Sequence, residues 1–167
     1  MFDLTNWVHS FTGLLHFSSA VVGMLTGLIM LLSTKGTAIH KKAGYVFVVA
    51  LLIVNISALF IYDFNDGSIG VFHFLIPVSL GFLLFGLIPM LGKRKPNAVM
   101  RHNIGMNGAE LGLWAAGATE YFVRELSYGL NPSQLIAYSF LISVPFAVLI
   151  TFSIIYHKNK YKLVSLK

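Results

Sequence analysis

Hydrophobic positions fall in five long runs, near residues 10–33, 44–62, 69–91, 104–122 and 135–156, and the polar positions are confined to the short stretches between them. Each run is close to the roughly 20 residues that a helix needs to cross a bilayer core about 30 Å thick. In hydrocarbon every backbone N–H and C=O must be paired within its own segment, which makes the runs helices. The period-two alternation of a membrane β-barrel is absent. The pattern therefore predicts an all-α integral membrane bundle of five transmembrane helices, forming a single domain over residues 1–167.

Composition strengthens this reading. The chain is 56% hydrophobic and only 11% charged, where soluble domains carry about 25% charged residues. It has no cysteine, which removes disulfides, thiolate metal sites and cysteine nucleophiles. The opening segment carries Asp3 and no Lys or Arg, so it lacks the basic start of a secretory signal, and the first run is expected to remain in the protein. The net charge of +6 is distributed by topology. Of the twelve Lys and Arg residues, only Arg124 falls on one side of the predicted bundle; Lys35, Lys41, Lys42, Lys93, Arg94, Lys95, Arg101, Lys158, Lys160, Lys162 and Lys167 fall on the other. The positive side faces the cytoplasm, which puts the N-terminus outside and the C-terminus inside a cytoplasmic (inner) membrane. Asp3, Asp63, Asp66 and Glu125 share the outer side. The expected partner is the lipid bilayer, with anionic lipids at Lys41, Lys42, Lys93, Arg94 and Lys95. A homo-oligomer is compatible with this pattern, and nucleic acid is not an expected partner.

The fourth run is the most polar, with Asn107, Glu110 and Glu120 among several glycines. An ionisable residue at mid-membrane costs about 2.5–3.5 kcal/mol on insertion scales, so neighbouring helices must shelter this run, and it belongs at the centre of the bundle. Predicted depth then gathers polar residues at two levels. His16, on a face with Ala20, Gly23 and Gly27, and His73, on a face with Gly70, Pro77 and Gly81, lie in the outer half. Small residues at these spacings let helices approach closely. Glu120 lies five turns beyond His102 on the same helical face and reaches the outer level. Asn55 is a supporting amide there. His40 and His102 pair at the inner edge, and Glu110 either bonds a neighbour or stays protonated. His9 and His157 read as surface residues.

Three kinds of chemistry fit. Facing imidazoles at one depth suit haem b, with His16 and His73 as one pair and His40 and His102 as a second, which would make an electron path across the membrane. His16, His73 and Glu120 together suit a divalent metal ion such as zinc or non-haem iron. A His and a Glu at one level can also relay protons, as in a proton-coupled transporter or channel. A small membrane scaffold or assembly factor, whose polar residues only lock helices together, is the remaining alternative.

The segments "LHFSSAVVGMLTGLIMLLSTKGTAIHKKAGYVFV", "FHFLIPVSL" and "RHNIGMNGAELGLWAAGATEY" resemble a bacterial family of small predicted membrane proteins of unknown function. The resemblance covers roughly residues 15–121 and rests on His16, the Gly36-to-Lys41 stretch containing His40, the Phe-His at His73, His102 and Glu120. It implies a ligand role for those four histidines and names no activity. The stretch "NIGMNGAEL" is more polar than the resemblance implies, so Glu110 receives no role from it.

Overall fold

The computed structural model describes residues 7–62, 71–93 and 96–165, and in these every regular element is helical. Helix α1 spans Phe11–Leu32, α2 Ala38–Ala58, α3 Leu75–Leu87, α4 Ala98–Tyr121 and α5 Pro132–Ser165. Short 3-10 turns flank α3 at Val71–Phe74 and Ile88–Met90, and a π-turn at Phe122–Leu126 extends α4. Asp3, Asp63, Asp66, Gly70, Arg94, Lys95 and Lys167 lie outside the described residues.

Local chemistry sets the boundaries. Ser10 Oγ accepts from the Gly13 amide at 3.0 Å and starts α1. Lys35 closes it: its ammonium donates to the carbonyls of Met30 (3.0 Å) and Leu31 (2.7 Å) in the last turn. Thr37 Oγ1 accepts from the His40 amide and starts α2 at Ala38, ahead of the apolar run, which brings His40 onto the first turn of the helix.

Among the described residues, four helical stretches are long and apolar enough to cross a membrane: Phe11–Leu32, Ala38–Ala58, Phe72–Met90 and Pro132–Lys162. Helix α4 is the exception. Its 24 residues are long enough, since about 1.5 Å of rise each exceeds the hydrocarbon thickness. Its side chains are too polar to face lipid by themselves, and the packing resolves this. Helices α1, α3 and α5 all pack on α4, while α2 packs on α1 and α3. Nine residues of α4 are buried, whereas the apolar stretch of α5 buries none and forms the outer face. The order around the bundle is α1, α2, α3, α4, with α1 diagonal to α3 and α2 diagonal to α4. Met30, Phe47, Leu51, Leu83, Met106, Ala109 and Leu113 fill the centre.

Glycine makes the closest crossing. A Cβ on Gly105 of α4 would land on the backbone of Gly86 in α3, and one on Gly86 would meet the Met106 nitrogen at 2.9 Å. The two helix backbones are in contact here, which is the close approach that small residues permit in membranes. Gly105→Ala is expected to lower stability by about 1–3 kcal/mol through overpacking. Gly81→Ala, whose Cβ would meet nothing within 4 Å, is expected to leave thermal unfolding in detergent micelles unchanged.

Candidate functional site

The polar residues of the bundle gather at its two ends, with one buried carboxyl between them. At the end where α2 and α4 begin, a cavity of about 310 Å³ is lined by Met30, Leu31, Lys35, His40, His102, Asn103, Met106, Asn107, Leu111 and His157. The His40 and His102 rings stand 6.3 Å apart, centre to centre, with their planes at 80°. Both rings are held by the backbone: His40 Nδ1 lies 3.0 Å from the Met30 carbonyl and His102 Nδ1 lies 2.9 Å from that of Gly86. A carbonyl oxygen only accepts, so each Nδ1 carries a proton and donates it, and in a neutral ring the lone pair lies on Nε2. Such a bond on the far nitrogen fixes the tautomer and orientation of a ligating histidine.

The rest of the lining is donor-rich and contains no carboxylate. Partial burial pushes the Lys35 ammonium below its ordinary range. Asn107 Nδ2 donates to Ser153 Oγ at 2.8 Å and to His157 Nε2 at 3.2 Å, and Asn103 Nδ2 donates to Tyr161 Oη at 3.1 Å. His157, expected at the surface, is therefore part of the cavity wall. The signal for it was spacing: Ser153, His157 and Tyr161 recur every four residues on α5 and meet Asn103 and Asn107, four apart on α4.

At the opposite end the expected metal set is not gathered. His16 Nδ1 donates to the Val54 carbonyl (3.2 Å) and to Ser57 Oγ (3.0 Å) on α2. Glu120 is close enough for its charge to act on His16. Its carboxylate, however, is paired with Arg124, one helical turn away, at 2.9 Å. His73 stacks on Tyr62, ring centres 5.0 Å apart. Asn55 turns away from this level and donates to the Leu51 carbonyl (2.7 Å) and to Ser79 Oγ (3.1 Å), tying α2 to α3. Among the described residues, no three His, Asp or Glu side chains are grouped to hold a metal ion. Trp7 covers this end. Its indole donates to Glu125 at 2.8 Å, packs on Phe17 and Tyr121, and lies under the Arg124 guanidinium.

Between the two ends lies Glu110, with 1% of its surface exposed. Trp114 Nε1 donates to its Oε1 at 2.8 Å.

A protein-family model described as "Predicted membrane protein (DUF2306)" matches residues 13–156, and the chain belongs to that family. No curated protein and no solved structure matches the chain.

Asn107→Ala removes the hydrogen bonds to Ser153 and His157 that hold α5 on α4 at the cavity. At about 0.5–1.5 kcal/mol per bond, it is expected to speed proteolysis of the C-terminal part of α5 in detergent, while Ser133→Ala, at an exposed position in the first turn of α5, leaves it unchanged.

Proposed function

We propose that this member of the family is a five-span protein of the cytoplasmic membrane, basic end inward, that binds a haem between His40 and His102 and carries electrons. The relation between these two rings supports the reading. His40 and His102 would be the two residues that hold it, on facing helices with their ring centres 6.3 Å apart. Both rings donate Nδ1–H to a backbone carbonyl, which leaves Nε2 as the ligating atom in each.

The ligand count favours a macrocycle over a bare ion. A divalent ion held by protein takes three or more protein ligands, and among the described residues no such group of His, Asp or Glu is gathered at this pair; the third imidazole of the cavity wall, His157, has its Nε2 turned to Asn107. A tetrapyrrole supplies most of its iron's ligands itself and would need only this pair from the protein. Met30, Leu31, Met106 and Leu111 supply an apolar wall, while Lys35, Asn103, Asn107 and His157 supply hydrogen-bond and cationic groups suited to the acidic side chains of such a ligand. Bound there, a haem supplies one-electron oxidation and reduction.

His16 and His73 lie on the other diagonal of the bundle, on α1 and just before α3, and His16 is anchored through Nδ1 in the same manner. In this reading they are the corresponding pair at the outer end, and electrons cross between the two levels. Helix α4 is the fifth span, shielded from lipid by its neighbours.

Purified protein is expected to show a Soret band. His40→Ala and His102→Ala each abolish or halve it, according to whether one or both levels are loaded, and His9→Ala, at an exposed position, leaves it intact. Colourless protein, also after incubation with haemin, contradicts the reading.

A further inference from the structure

Among the described residues Glu110 is the one fully buried carboxyl, and nothing in the electron-carrying role uses it. The structure makes room for it deliberately. Gly27 of α1 faces it, and a Cβ on Gly27 would fall on the carboxyl group itself. Trp114 fixes Oε1, while Oε2 is buried and has no hydrogen-bond partner.

Among the described residues no cation is paired with it. Within the described helices packed around α4, the ionisable side chains lie towards the ends: His16 on α1; His40, Lys41, Lys42 and Tyr45 on α2; none on α3 between Leu75 and Leu87; and Tyr138, Tyr156, His157, Lys158, Lys160, Tyr161 and Lys162 on α5. On α4 itself the nearest are His102 and Arg101, eight and nine residues before it, and Glu120, ten residues after it. A lone carboxylate in such surroundings loses its hydration with nothing to replace it, and the group takes up a proton instead. Glu110 is nonetheless close to the cavity. Met106, Asn107 and Leu111 line it, and Asn107 lies one turn before Glu110 on the same side of α4.

We propose that Glu110 is a proton-exchange site. Its carboxyl carries the proton on Oε2 and trades it with water in the histidine cavity as the charge there changes. The coupling part rests on the reading that the cavity holds a haem. A haem held by His40 and His102 would supply that change of charge on one-electron oxidation by an external acceptor: with more positive charge beside it, Glu110 would give its Oε2 proton to cavity water, and it would take a proton back from that water on re-reduction.

Infrared spectroscopy tests both parts on the full-length protein. A protonated-carboxyl C=O band is expected at neutral pH, shifting in D2O and absent in Glu110→Gln, an isostere that still accepts from Trp114. Gly27→Ala, which presses on the carboxyl, is expected to move the band without removing it. In haem-loaded protein the band loses intensity on oxidation with ferricyanide and regains it on reduction with dithionite. Absence of a Glu110-dependent band overturns the proposal, and a band unchanged by oxidation overturns the coupling. Failure to load haem would count against the preceding reading alone, because the band in unloaded protein reports on Glu110 independently.

Discussion

The constraint that organises this molecule is the polarity of α4 among helices apolar enough to cross a membrane. A helix carrying His102, Asn103, Asn107, Glu110 and Glu120 cannot turn those groups towards lipid, where no water replaces the bonds they lose. Three helices pack directly on it, and the glycines at 86 and 105 bring α3 against it backbone to backbone. The apolar helices tolerate lipid on one side, so they become the wall and α4 becomes the axis. Helix α5, which buries none of its apolar stretch, completes that wall, and its polar contacts to α4 are made through Ser153, His157 and Tyr161 near the membrane edge.

A central polar helix with partners on every side places side chains across the bundle from one another. His40 on α2 meets His102 on α4 in this way, each ring locked by a carbonyl of a neighbouring element. The carbonyls come from Met30 near the end of α1 and Gly86 near the end of α3, so all four inner helices contribute to one pair of imidazoles. The same packing isolates Glu110 against Gly27. The interior is therefore apolar in bulk, with a few polar groups whose positions are over-determined, the arrangement a membrane protein needs to hold a charged or redox-active group away from water.

Much of this was legible in the chain, and the failures have physical causes. The apolar runs gave the helices because length and hydropathy are sufficient signals in a membrane. The polarity of the fourth run gave its central position, and depth alone paired His40 with His102. Depth did not give rotation. His16 shares a level with Glu120, but its Nδ1 faces α2, and the Glu120 carboxylate belongs to Arg124, one turn along its own helix. A local ion pair of that kind competes with any ligand role and was open to inspection in the sequence. Asn55 was assigned by depth as well and in fact bridges to Ser79. His157 lay beyond the last apolar run and looked solvated; continuation of α5 past the run, to Ser165, keeps it on the helix face that meets the cavity.

In the proposed reading His40 and His102 would together hold one haem iron. Electron paramagnetic resonance of the oxidised, haem-loaded protein, recorded in a His16→Ala background that leaves only this pair, tests it most directly. A low-spin ferric signal of two axial imidazoles is predicted, converting to a high-spin signal when His102 is replaced by alanine. A high-spin signal from the intact pair, or a low-spin signal indifferent to His102, would contradict it.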